Sequence, residues 1–113
     1  MKQGEIWLIN LDPTIGAEIR KTRPAVVSDD ALGKLPLKVI VPVTDWKSNY
    51  EIAPWMVKIE PDQENNLIKD STADCFQVRS VSEERFVKQI GGVSATVMAD
   101  IKIGLSKVLS IEI

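Results

Sequence analysis

The chain has 113 residues, a net charge of −2, and 44% hydrophobic against 27% charged residues, which fits one folded domain and speaks against disorder. It has no histidine and a single cysteine, Cys75, so an intrachain disulfide is excluded and a zinc site has almost nothing to hold it. Hydrolytic chemistry in such a chain has to come from carboxylates, hydroxyls and guanidinium groups.

Taken in chain order, Glu5 to Leu11 reads as a first strand, apolar on both faces and therefore covered on both sides. Asp12-Pro13-Thr14-Ile15-Gly16 ends it with turn chemistry, and a polar, charged loop runs on to Thr22. Pro24 to Ser28 is a second strand, Asp29 to Leu35 a connection with room for a helical turn, and Lys38 to Val43 a third strand in which Pro42 marks an edge or bulge. A long loop, Thr44 to Pro54, leads to a fourth strand at Trp55 to Ile59, and a polar loop, Pro61 to Asp70, to a fifth at Ser71 to Val81. Ser82 to Arg85 is a capped helical turn, Phe86 to Ile90 a sixth strand broken by Gly91-Gly92, and Ser94 caps a final helix. In that helix Val97, Ile101, Leu105 and Val108 recur at steps of four and three, a single apolar stripe. The expected fold is mainly β: a small, SH3-like, mostly antiparallel barrel of five or six strands with a C-terminal helix, in one domain spanning 1–113.

Nothing near Met1 reads as a signal peptide, and no apolar run approaches the roughly 20 residues that span a bilayer. A cytoplasmic location without membrane contact is expected, and one cysteine suits a reducing compartment. Charge is uneven. Between Arg20 and Lys47 six basic residues face three acidic ones, a local excess that suits a confined anionic ligand better than a long duplex.

Two loops gather the chemistry. The first, Asp12 to Pro24, carries Glu18, Arg20, Lys21 and Arg23; the second opens at Val41-Pro-Val-Thr44 and interleaves Trp46, Lys47 and Tyr50. Taken alone, an arginine before a proline is most often a solvated surface residue, and a threonine at a strand end reflects strand propensity.

The ordered set is more specific. Gly4-Glu-Ile-Trp-Leu, Leu11-Asp-Pro-Thr-Ile-Gly, Lys21-Thr-Arg-Pro-Ala-Val-Val, Val41-Pro-Val-Thr44, Lys69-Asp-Ser71, Gln77-Val-Arg-Ser80 and Lys88-Gln-Ile-Gly91 together resemble the MazF/PemK/Kid family of toxin endoribonucleases, in order and over nearly the whole chain. The resemblance implies the plasmid-maintenance-toxin barrel, a homodimer, and an antitoxin that occupies an RNA groove. It implies cleavage of single-stranded RNA by attack of a 2′-OH on the neighbouring phosphorus, with no cofactor and no metal. It makes Arg23 and Thr44 the catalytic pair.

Arginine stays protonated, so Arg23 is expected to stabilise growing phosphorane charge through a bidentate contact rather than to act as a base. Glu18, the carboxylate between the opening Asp12 of this loop and Arg23, is the expected proton acceptor. Arg20, Lys21, Trp46, Lys47 and Gln77 are the expected RNA contacts, by phosphate pairing and base stacking. Gln77, Arg79 and Cys75 would share one face of the fifth strand.

Some members carry a histidine beside the glutamate and an Arg-x-Asp pair before the glutamine; here those positions are Ala17, Asp74 and Phe76. The alternatives are a toxin of the same fold that binds DNA gyrase, although the Trp-Gly-Ile tail of such relatives is missing from Leu109-Ser-Ile-Glu-Ile113, and a module that binds RNA without cutting it.

Overall fold

The computed structural model describes residues 1–28 and 35–112. The strands are β1 (Glu5–Asn10), β2 (Thr22–Val27), β3 (Leu37–Asp45), β4 (Met56–Ile59), β5 (Ser71–Asp74), β6 (Arg79–Ser82) and β7 (Phe86–Gly92), and the helix is α1 (Ala95–Val108). Every pairing is antiparallel. The sheet order is β4-β5-β3-β2-β1-β7, with β6 also beside β3, and among the described residues the ladder does not close on itself. The mainly β fold with a C-terminal helix is as expected, but the sheet is open rather than a closed barrel.

Alternation along the strands feeds two cores. Ile6, Val26, Val41 and Val43 join Ile59, Ala73, Cys75, Met98 and Ile101 on the face covered by α1. Ile9, Ala25, Ile40 and Val81 form the second core with Leu11, under Trp7, Ile19 and Phe86. This is why β1 is apolar on both faces. Its buried Ile6 and Ile9 stand three residues apart, and the β1–β7 pairing shifts register between them, at Ile6/Trp7 and Leu8/Ile9.

Helix α1 starts where Ser94 Oγ accepts the Val97 N–H at 3.2 Å. Ile101 and Met98 are buried, and Val97, Leu105 and Val108 pack at the edge of the same core. Gly104 is buried too, and a Cβ built there would lie 2.8 Å from Cys75 Sγ. The helix therefore rests directly on the segment after β5, and the Cys75 thiol donates to the Ile101 carbonyl at 3.7 Å.

Four expectations change. The fifth strand is two strands, separated by a 3-10 turn at Cys75–Gln77, because the Asp74 carboxylate accepts the Phe76 N–H at 3.1 Å and caps the turn. Gln77 and Arg79 therefore do not share a strand face with Cys75. Thr44 belongs to β3, which runs on to Asp45 instead of giving way to a loop at Val43. Gly91-Gly92 continues β7 rather than breaking it: a Cβ at Gly91 would meet the Glu64 carbonyl oxygen at 2.5 Å, so glycine here admits the loop that crosses the strand. Most of the Asp29–Leu35 connection lies outside the described residues. The turn after Ser82 forms as expected, with Ser82 Oγ accepting the Glu84 N–H.

Candidate active site

The first loop is pinned from the far end of the chain. Its neck closes where the Leu11 N–H donates to the Lys21 carbonyl at 2.9 Å, and Lys21 reverses the chain with φ 69°. Gln77 holds the middle by both ends of its amide: Oε1 accepts the Ile19 N–H at 2.5 Å and Nε2 donates to the Ala17 carbonyl at 3.2 Å. Arg79 donates to the Leu11 carbonyl at 3.2 Å, and Arg85 to the carbonyls of Asn10, at 3.2 Å, and Asp12. Charge-assisted bonds of this kind are stronger than neutral ones.

The loop so held delivers Arg23 into β2. The β2–β3 register pairs Ala25 with Pro42 and Val26 with Val41. Arg23 lies two residues before Ala25 on β2 and Thr44 two residues beyond Pro42 on β3, so the two antiparallel strands carry both residues to the same end of the pair. Both residues line one pocket of about 180 Å³, together with Asp45, Ile68, Lys69 and Ser71. Arg23 is half-buried, and its Nε donates to the Arg20 carbonyl at 3.4 Å. At the mouth, Lys69 Nζ lies 3.0 Å from Asp45 Oδ2.

Glu18 is not in that pocket. It lines a separate cleft of about 470 Å³ with Pro42, Phe76, Gln77 and Arg79, and its Oε1 accepts the Ile15 N–H at 2.5 Å. Pro42 and Thr44 are two residues apart on one face of β3, about 7 Å along the strand, so the cleft and the pocket follow one line across the sheet.

Arg20 and Lys21 are exposed just before Arg23. Lys47 is exposed, whereas Trp46 is half-buried, packed edge-on against Tyr50 at 5.8 Å with Lys58 Nζ 5.2 Å from its ring centre. Gln77 spends its amide on the loop. Phe76 stands 63% exposed at the rim of the cleft, braced edge-on by Trp55.

Behind this rim, burial raises the Asp74 carboxyl above its usual range, against the lowering effect of hydrogen bonds from Phe76 and Gln77. Burial, with the nearby Asp74 charge, pushes the Cys75 thiol up to about 12, so it is inert near neutrality.

Asp45, Lys69 and Ser71 were not singled out as site residues from the sequence. What brings them to Arg23 is the β3–β5 register, which pairs Thr44 with Thr72 and Asp45 with Ser71 across a long loop.

Residues 2–109 match the family model described as the PemK-like, MazF-like toxin of type II toxin-antitoxin system. The chain belongs to this family. Among curated relatives of this PemK/MazF toxin, Endoribonuclease MazF9 of Mycobacterium tuberculosis is 36% identical over 109 residues, 89% of each chain. The crystal structure of MazF from Deinococcus radiodurans superposes with a TM-score of 0.80 at 25% identity, covering 97% of this chain and 96% of that one. An endoribonuclease solved in complex with its cognate antitoxin from a mycobacterial species has the same fold, with a TM-score of 0.78 at 12% identity, covering 100% of this chain and 98% of that one.

Proposed function

We propose that this PemK/MazF-family toxin is an endoribonuclease that cuts single-stranded RNA at the pocket shared by Arg23 and Thr44. The observation that supports the reading is that two residues on different strands, expected to act together, line the same pocket of about 180 Å³.

Arg23 offers a planar fork to two non-bridging phosphate oxygens, and the Thr44 hydroxyl donates to the same group or holds the 2′-OH. Attack of the 2′-oxygen builds negative charge on the phosphorane, and a well-placed donor there is worth roughly 3–4 kcal/mol. The products are a 2′,3′-cyclic phosphate and a 5′-OH. No metal is needed, because the guanidinium supplies the charge.

Arg20, Lys21 and Lys47 contact phosphates on either side, and the cleft of Glu18 and Phe76 receives a neighbouring base. Glu18, anchored to its own loop, there offers a carboxylate oxygen to a base amino group. Trp46 and Gln77 shape the groove by holding the two loops. The protein acts in the cytoplasm as a homodimer, restrained by an antitoxin that covers the groove; the endoribonuclease solved with its cognate antitoxin supports that partner.

The test is incubation of purified protein with a long single-stranded RNA in EDTA, with the cut ends mapped beside Arg23→Ala and Thr44→Ala. Discrete cuts ending in 2′,3′-cyclic phosphate, reduced by about 10²-fold or more in each variant, are expected. Intact RNA with the wild-type protein refutes the reading and turns attention to gyrase binding.

A further inference from the structure

Transesterification moves two protons, one off the 2′-OH and one onto the departing 5′-oxygen. Arg23 stays protonated throughout, and a threonine hydroxyl is too weak an acid or base for either task. Glu18, the acceptor expected from the sequence, lines the separate cleft. Among the described residues lining the Arg23–Thr44 pocket, the one carboxylate is Asp45 and the one ammonium is Lys69.

We propose that Asp45 and Lys69 are the acid–base pair of this toxin: Asp45 takes the proton of the attacking 2′-OH, and Lys69 supplies one to the leaving 5′-oxygen. The assignment rests on the ribonuclease reading above.

Their geometry suits the work. Lys69 Nζ and Asp45 Oδ2 are 3.0 Å apart, with side chains 61% and 53% exposed, so a substrate can reach both. The backbones behind them are fixed. Asp45 closes β3 opposite Ser71, Ser71 Oγ donates to the Lys69 carbonyl at 3.0 Å, and the Trp46 N–H donates to the Asp70 carbonyl at 3.1 Å. The charged groups facing Asp45 are Lys69, from the loop before β5, and Arg23, from β2; Asp70, beside Lys69, has its own cation in Lys58 at 3.9 Å. An incoming phosphate draws Lys69 toward itself and leaves the Asp45 carboxylate open to the 2′-OH.

The step balances. The 2′-O–H bond breaks, its proton passes to an Asp45 oxygen, and its electron pair forms the new O–P bond. The P–O5′ bond breaks, its electron pair stays on O5′, and O5′ takes a proton from Lys69 Nζ. Asp45 is left protonated and Lys69 neutral. Transfer of one proton across the pair restores both for the next turnover.

The experiment measures single-turnover cleavage of a short RNA against pH for the wild type, Asp45→Asn, Asp45→Glu and Lys69→Met. Each is also given a substrate whose scissile 5′-oxygen is replaced by sulfur, a leaving group that needs no proton. Asp45→Asn should slow the oxygen substrate by about 10²- to 10⁴-fold and abolish the acidic limb of the pH profile, on either substrate. Lys69→Met should be comparably slow on the oxygen substrate and recover on the sulfur one. Should Asp45→Asn fail to fold by circular dichroism, Asp45→Glu replaces it, with the acidic limb retained and shifted. Normal cleavage by Asp45→Asn, or no recovery of Lys69→Met with sulfur, overturns the assignment while leaving the ribonuclease reading intact. Wild-type protein that cuts neither substrate overturns both.

Discussion

Gly104 and Cys75 make a sharp test of how α1 is seated. Alanine at position 104 would gain about 1 kcal/mol of helix propensity over glycine. In this structure its Cβ would sit 2.8 Å from Cys75 Sγ, inside contact distance, at a place where both partners are buried. Relief requires the helix or the turn after β5 to move, and overpacking of this kind costs about 1–3 kcal/mol. Gly104→Ala should therefore destabilise the wild type by up to about 2 kcal/mol. Cys75→Ala removes the clashing sulfur, after which the nearest atoms are the Cβ of residue 75 at 3.4 Å and Val57 Cγ2 at 3.6 Å, both tolerable. In that background Gly104→Ala should become neutral or stabilising by up to about 1 kcal/mol. The double-mutant cycle, read by urea unfolding with tryptophan fluorescence at one protein concentration, should show a coupling of at least about 1 kcal/mol. Effects that add within about 0.5 kcal/mol, or a wild type stabilised by Gly104→Ala, refute this account of the helix seat.

Other outcomes follow from the same contacts. Gln77→Ala leaves the Ile19 N–H and the Ala17 carbonyl without their partner. It should cost about 1–3 kcal/mol and open the segment from Asp12 to Lys21 to limited proteolysis, which the wild type resists. Asn65 is buried, accepts from the Asp62 and Leu67 N–H groups at 3.0 and 2.9 Å and donates to the Glu60 carbonyl at 2.8 Å. Asn65→Ala should lose about 3 kcal/mol in thermal unfolding and, by loosening the loop that carries Ile68 and Lys69, slow RNA cleavage as well. Burial holds the Cys75 thiol up to about 12 in the folded chain, above its ordinary value of 9.0. Its neutral form is common to both states below that ordinary value. As pH rises through the window between the two, the unfolded chain releases the proton first and stability falls. The stability difference between wild type and Cys75→Ala should therefore shrink as pH rises from 9.0 towards about 12, and parallel curves would refute the burial argument.

Much of the fold was legible because a strand that serves two cores is apolar on both faces and so reads as a continuous apolar run. Ile6 and Ile9 on β1, Ala25 and Val26 on β2, and Ile40 and Val41 on β3 all read as apolar runs and all are buried. The cap at Ser94 was equally plain. The split of the fifth strand was not, because it depends on an aspartate capping a turn within a β-branched run, and Ser71 to Val81 alternates well enough without it. At the candidate site, ordered motifs led to the expectation that Arg23 and Thr44 act together, and what the structure adds is that both line one pocket, a proximity that local sequence does not state. Glu18 was expected beside Arg23 because they share a loop. That loop is held by Gln77 in a path that sends Glu18 to one cleft and Arg23 to another. Asp45 and Lys69 were hidden for the opposite reason, lying far apart in sequence and meeting only through β3 and β5.

The ties on the first loop also order events in time. Its partners are Gln77, Arg79 and Arg85, and β1 itself waits for β7 on its outer edge. A chain emerging from the ribosome therefore carries Ala17, Glu18 and Ile19 well before Gln77 can hold them in place. Under the proposed activity, the residues lining the Arg23–Thr44 pocket are all present once Ser71 has been made, whereas the neighbouring cleft waits for Gln77 and Arg79, so a nascent toxin gains its groove in two stages.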